Sequence, residues 1–123
     1  KKLSLKPGMR VWFDAMPDNV MAEIDMPDLV HLVAPEAELD VAHLFVTDRA
    51  DMEAKLASFR PLLQPTGFIW VSWPKKASMV PTDITEDAIR GAILSSTDLV
   101  DVKVCAVDAI WSGLKLMIRK DRR

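Results

Sequence analysis

Two patterns of hydrophobic residues predict strands along the chain. Segments 41–46 and 68–73 are largely apolar at consecutive positions, which is typical of strands buried on both faces of a parallel sheet. Segments 99–107 and 114–118 instead alternate apolar with charged residues, which indicates strands with one face towards solvent. The short connection around Trp111 favours an antiparallel hairpin between them. The pattern therefore predicts a central parallel sheet with an antiparallel hairpin at one edge.

An apolar stripe at helical spacing follows the third predicted strand. It consists of Met52, Leu56, Phe59 and Leu63. Thr47 or Asp48 is the predicted N-cap of this helix, because either side chain can accept a hydrogen bond from a free backbone amide. Pro61 lies inside the stripe and cannot donate a backbone hydrogen bond, so we predict that the helix breaks or kinks near Phe59.

Shorter patterns complete the element order. Apolar runs at 9–13 and 29–33 predict the first two strands, with a short helix at 18–24 between them. A further helix before the hairpin is capped by Thr82 or Thr85. No linker or repeat divides these elements, so a single domain over the whole chain is expected.

The composition allows one hydrophobic core and excludes several classes of protein. The chain has 123 residues, of which 50% are hydrophobic and 28% are charged, so a disordered tail or a collagen-like fibre is excluded. No uncharged apolar run approaches the roughly 18 residues of a membrane span, and no signal-peptide pattern opens the chain, so we expect a cytoplasmic protein. The net charge of −2 gives no general attraction to nucleic acid.

No spacing of residues identifies a metal site or a catalytic nucleophile. Cys105 is the single cysteine, and we expect a buried thiol there. His31 and His43 lie in separate strands, where a hydrogen-bonded core histidine is the expected role. Ser72 lies in a buried strand, but the sequence assigns no base to it. The sequence predicts neither a metal nor a cofactor.

The middle of the chain resembles class I methyltransferases. Asp40-Val41 enters a strand, and after a helix the segment 63–72, Leu-Gln-Pro-Thr-Gly-Phe-Ile-Trp-Val-Ser, is similar to the Leu-x-Pro-Gly-Gly turn of that family. The resemblance implies an α/β, three-layer Rossmann-like fold. Its mostly parallel sheet has about six strands in the order 2-1-3-4-6-5, with an antiparallel C-terminal hairpin.

The whole chain is more closely similar to a family of small bacterial proteins of unknown function. The segments that carry this similarity are 74–76 (Pro-Lys-Lys), 82–85 (Thr-Asp-Ile-Thr) and the ending 102–115. The link 34–40 is too short to hold a helix, so we expect that helices cover one face of the sheet thinly. A second subunit, or N-terminal residues that precede Lys1, is the expected cover for that face, and a homodimer or another protein partner is the expected assembly.

Both halves of the S-adenosylmethionine (SAM) site that the methyltransferase resemblance implies are missing from the sequence. The family has a glycine-rich turn after the first strand, because glycine lets the backbone approach the ligand, whereas this chain has Asp14-Ala15-Met16-Pro17-Asp18. The family's ribose-binding acid is missing after the second strand, at 31–34. These departures favour a non-catalytic binding or interaction module. A SAM-dependent methyltransferase is the less favoured alternative.

A further hypothesis is a protein or enzyme that binds a small molecule or anion at the carboxyl ends of the strands, where open parallel sheets bind ligands. The candidate residues are Asp14, Ser72, Lys75, Lys76, Thr82, Asp83 and Thr85. The lysines supply positive charge, and the helix cap at 82–85 offers backbone amides that favour an anion. A solvated lysine pair beside an ordinary helix cap is the alternative interpretation.

Overall fold

The computed structural model describes residues 5–14, 30–31, 38–107 and 110–122. Its strands are Arg10–Asp14 (β1), Val30–His31 (β2), Leu39–Phe45 (β3), Leu63–Pro74 (β4), Leu99–Ala106 (β5) and Trp111–Ile118 (β6). Its α-helices are Arg49–Phe59 (α1) and Glu86–Ser96 (α2), with short 3-10 helices at Arg60–Leu62, Lys76–Ser78 and Lys120–Arg122. Within these residues the strands form one six-stranded sheet in the order β2-β1-β3-β4-β6-β5.

The sheet has a parallel centre and an antiparallel edge. β1 pairs in parallel with β2 and with β3, and β3 pairs in parallel with β4. β6 is antiparallel to both β4 and β5. The central position of β3 explains why it is apolar at consecutive positions. Ala42 and Leu44 are buried on one face of the sheet, and Val41 and Phe45 are buried on the other. The mixed α/β class is therefore confirmed.

Both described helices pack on the same face of the sheet. The residues that they bury there are Met52, Leu56 and Phe59 of α1 and Ile89, Ala92 and Ile93 of α2. Asp48 caps α1 and Thr85 caps α2, each through its side chain. As Pro61 predicts, α1 ends at Phe59 and a 3-10 turn leads into β4. No described helix is long and apolar enough to span a bilayer.

The opposite face of the sheet carries a second hydrophobic core. Its buried residues are Val11, Val41, Phe45, Phe68, Trp70 and Val107. Leu5 and Met9 of the amino-terminal segment pack against this core. The helix expected at 18–24, which would belong to the third layer, lies outside the described residues, and the second subunit expected over this face stays a prediction.

β5 departs from the alternating pattern that the sequence suggests. The register with β6 shifts between Asp101 and Lys103, and Val102 and Val104 are each 49% exposed. A bulge of this kind places an extra residue in one strand and changes the face of the residues that follow it. The expectation that the valines of this strand share one buried face is therefore wrong.

Trp73 is buried in the helix-covered core, because it alternates with Ser72 towards that face. One expectation about a single side chain is also wrong. Cys105, expected to be buried, is only half-buried at the margin of the second core, since β5 is an edge strand.

Candidate functional site

The strand order reverses between β1 and β3. β2 lies on the far side of β1, and β4 lies on the far side of β3. Open parallel sheets bind ligands at such a reversal, just outside the carboxyl ends of the strands. The described side chains at this position are Asp14, Thr47, Asp48, Asp51 and Lys55, which we call the β1/β3 edge.

An ion pair joins β1 to α1 at this edge. Asp14, the last residue of β1, contacts the Lys55 ammonium, and Asp51 lies 3.2 Å from the same Nζ atom. Partial burial lowers the pKa of Lys55, but hydrogen bonds and charges from Asp14 and Asp51 outweigh it, so the pKa is raised. Lys55 is therefore charged at neutral pH. Together with Asp48, the carboxylates of the edge outnumber its one lysine.

The amino terminus of α1 is occupied by carboxylates of the protein itself. The Asp51 amide donates to Asp48 at 3.0 Å, and the Arg49 amide donates to Asp83 at 2.7 Å. The Thr82 hydroxyl donates to the carbonyl oxygen of Thr47 at 2.6 Å. Thr82 and Asp83 therefore fasten the loop between β4 and α2 to the β1/β3 edge. Thr85 has a separate role, because it accepts from the Ala88 amide and caps α2.

The lysines of the predicted anion site follow β4. The backbone amide of Lys75 donates to the carbonyl of Ile110 at 2.7 Å, which joins this loop to the β5–β6 hairpin. Lys76 begins a 3-10 helix and is exposed. β3 separates these lysines from Asp14 at the end of β1. The predicted residues thus lie along one edge of the sheet, with the acidic groups at the β1 side and the lysines at the β4 side.

Ser72 contacts His43, a pairing that the sequence analysis missed. The Ser72 Oγ lies 2.7 Å from the His43 Nε2, and both residues are buried. The parallel register opposes His43 to Trp70 and Phe45 to Ser72, so His43 and Ser72 are diagonal neighbours on one face. The available signal was a lone polar residue in each of two apolar strands. The expected role of His43 as a hydrogen-bonded core histidine is confirmed.

The surroundings of His43 favour a neutral ring. Burial lowers the pKa of His43 from its ordinary value of 6.5 to about 3. Its ring stacks on Phe45 with centroids 4.3 Å apart, and Phe13 and Trp70 lie within 6.3 Å. A group with so low a pKa is a weak general base near neutral pH, and its burial keeps substrates away. This pair therefore contributes to the second core.

No metal centre is found among the described residues. They contain no group of three or more histidine, cysteine or acidic side chains placed to hold an ion. His31 pairs with Val11 and His43 pairs with Phe13, so β1 separates the two histidines.

Comparison with known proteins supports the fold. No protein-family model and no curated protein matches the sequence, so the similarity to a family of small bacterial proteins stays a prediction. LepI in complex with SAM matches with a TM-score of 0.59 at 10% identity, over 93% of this chain and 37% of that chain. A Sulfolobus solfataricus protein classed with the type 11 methyltransferases matches with a TM-score of 0.56 at 14% identity, over 94% of this chain and 86% of that one.

A ribosomal protein L11 methylase from Lactobacillus delbrueckii subsp. bulgaricus also matches. Its TM-score is 0.56 at 10% identity, over 94% of this chain and 72% of that chain. At such identities these matches show a shared methyltransferase-like Rossmann fold. The chain spans little more than a third of LepI.

The matches contradict the prediction of a non-catalytic binding or interaction module. Methyltransferases and a SAM-bound protein share the fold over more than nine-tenths of this chain. The earlier prediction depended on the turn after β1 and on the end of β2. Segments 15–29 and 32–37, where those features fall, lie outside the described residues.

Proposed function

We propose that this chain is a methyltransferase-like domain that binds SAM at the β1/β3 edge. The observation that carries the proposal is the position of Asp14. It places a carboxylate at the carboxyl end of β1, where the strand order reverses, and Lys55 fixes its position from α1. The fold matches support a ligand of this class at this edge.

The charges of the edge suit those of SAM. SAM carries a sulfonium and an ammonium cation against a single carboxylate. Asp14 and Asp51 contact the one lysine of the edge, and Asp48 caps the helix beside them, so this excess of carboxylates favours a ligand with net positive charge. Lys55 supplies the complementary donor for the carboxylate of the ligand.

The turn that follows β1 changes how such a ligand is held. Ala15 and Met16 stand where a glycine would let the backbone approach closely. As residue types, alanine and methionine allow a ligand to approach the backbone less closely than glycine does. Recognition then depends more on side chains, above all on Asp14 and Lys55.

Four of the remaining candidate residues, Lys75, Lys76, Thr82 and Asp83, lie on the side of the site that would face the methyl acceptor. In the transfer, a nucleophilic atom of the acceptor bonds to the methyl carbon as its bond to sulfur breaks, leaving the neutral thioether S-adenosylhomocysteine, while the acceptor releases its proton to solvent. The loop fastened by Thr82 and Asp83 borders this side. Lys75 and Lys76 follow β4 there and favour an acceptor that carries an anionic group.

Calorimetric titration with SAM and with S-adenosylhomocysteine tests the proposal. We expect both ligands to bind the unmodified protein, and we expect Asp14→Asn to weaken binding roughly tenfold, because it removes a charge-assisted contact. Asp51→Asn is the matched control. It removes the other carboxylate that contacts Lys55 and leaves Asp14 in place. The side chain of Asp51 is 49% exposed.

Two results would contradict this assignment. One is the lack of heat with either ligand at millimolar concentration. The other is equal weakening by Asp14→Asn and Asp51→Asn, since that would remove any special role for the end of β1. Circular dichroism of each variant verifies that the fold is retained.

A further inference from the structure

Two lysines lie directly opposite each other on the antiparallel strands. Lys103 of β5 pairs with Lys115 of β6. Side chains in such positions have Cβ atoms about 5 Å apart, and like charges there destabilise the strand pair. Partial burial and the charges of Lys103 and Lys6 lower the pKa of Lys115, so a third cation lies close by.

The bulge in β5 brings this pair together. Asp101 pairs with Leu116 and accepts from Arg90 of α2 at 2.9 Å, so it lies on the helix-covered face. In a regular strand Lys103 would share that face, because it is two residues further along. The register shift turns Lys103 to the opposite face, where it meets Lys115. Bulges redirect side chains in this way, often next to functional sites.

Lys115 is held in position by an aromatic ring. Its Nζ lies 4.3 Å from the centroid of Phe68, a buried residue of the second core. The cation–π contact holds the ammonium group on this face of the sheet. Lys103 remains exposed beside it, so a ligand can approach from solvent.

We propose that Lys6, Lys103 and Lys115 bind the phosphate group of a ligand on the face of the sheet opposite α1 and α2. A phosphate dianion removes the repulsion among the ammonium groups and accepts a charge-assisted hydrogen bond from each. This site lies on the β5–β6 hairpin, away from the β1/β3 edge, and does not depend on SAM binding. The phosphate belongs to a free anion or to a nucleotide.

The first test is a titration with inorganic phosphate at constant ionic strength. Binding is monitored through the backbone amide resonances in nuclear magnetic resonance spectra. We expect saturable shifts at Lys103, Lys115 and their neighbours. Lys103→Gln should weaken phosphate binding roughly tenfold, because it removes one charge-assisted hydrogen bond. Lys120→Gln, which removes an exposed lysine from the 3-10 helix after β6, should leave the affinity unchanged.

The second test uses the repulsion between the lysines. Without phosphate, Lys103→Gln should raise the melting temperature by about 1–4 °C, because the like-charged pair is relieved. Saturating phosphate should raise the melting temperature of the unmodified protein more than that of the variant. If the lysines only keep the protein soluble, phosphate should raise the melting temperature of both proteins by the same amount, which would contradict the proposal.

Parallel titration with adenosine monophosphate distinguishes the sources of the phosphate. Equal affinities for inorganic phosphate and adenosine monophosphate would show that the site binds the phosphate group alone. Tighter binding of adenosine monophosphate would show that the site also contacts the nucleoside. The proposal is overturned if neither probe shifts these resonances at tens of millimolar. It is also overturned if Lys120→Gln weakens binding as much as Lys103→Gln does.

Discussion

Acidification from about pH 7 to about pH 4.5 is expected to lower the free energy of unfolding by roughly 2–3 kcal/mol through His43 alone. Burial holds the pKa of His43 at about 3 in the folded protein, against an ordinary value of 6.5. Between these values the unfolded chain binds a proton that the folded chain does not. The stabilisation is therefore complete above pH 6.5 and is lost progressively as the pH falls towards 3.

Urea denaturation at a series of pH values measures this loss. His43→Gln keeps a side chain that can bond to Ser72 but does not titrate, so its stability should depend less on pH between about 6.5 and 4.5. Ser72→Ala is the second variant. It removes the hydrogen bond and keeps the buried ring, so its overall stability should fall while the pH dependence persists. An unchanged pH dependence in His43→Gln would refute the assignment to His43.

The same substitution at two glycines is expected to change stability in opposite directions. A Cβ at Gly67 would lie 2.9 Å from the carbonyl oxygens of Leu39 and Asp40 and from the Cδ1 of Leu63. The two oxygens belong to β3, which is paired on both sides and cannot move freely. Gly67→Ala should therefore destabilise the protein by about 1–3 kcal/mol.

Gly91→Ala is the matched control. Gly91 is exposed in α2, and a Cβ there would have no atom within 4 Å. Alanine restricts the unfolded chain and favours the helix, so this variant should gain about 1 kcal/mol. Thermal and urea denaturation of both variants check the pair of predictions. A loss of stability in both, or in neither, would show that the close approach at Gly67 is not the determining contact.

The sequence predicts those parts of the fold that depend on local pattern. β3 is apolar on both faces, and it lies between β1 and β4 with helices on one side and the second core on the other. Pro61 predicts the end of α1 because the missing amide acts within one turn of the helix. Such features depend on neighbours in the sequence, so the sequence alone reveals them.

Features that depend on register could not be predicted in this way. The contact between His43 and Ser72 requires the alignment of β3 with β4, and the residues stand 29 positions apart. The bulge between Asp101 and Lys103 requires the alignment of β5 with β6. Both alignments are set by packing of the whole sheet, which no local pattern records.

The candidate site also combines a feature that the local sequence predicts with a feature that depends on packing. Asp14 follows from the rule that ligands bind at the carboxyl ends of parallel strands, because its strand is visible in the sequence. Lys55 does not, since its contact with Asp14 depends on where α1 packs across the sheet relative to the end of β1. The stripe of Met52, Leu56 and Phe59 predicts which side of α1 faces the sheet, but not that position.

The double fastening of the loop between β4 and α2 has a kinetic consequence. Asp48 and Thr85 cap their own helices, so the loop can detach without melting either one. Detachment breaks the two exposed hydrogen bonds of Thr82 and Asp83, at about 1 kcal/mol each, and exposes the buried side chain of Ile84, at about 2 kcal/mol. Roughly one molecule in a thousand would then be open at any moment. The rate at which small molecules pass this loop would depend on the fraction of molecules in which the loop is open, and not on global unfolding.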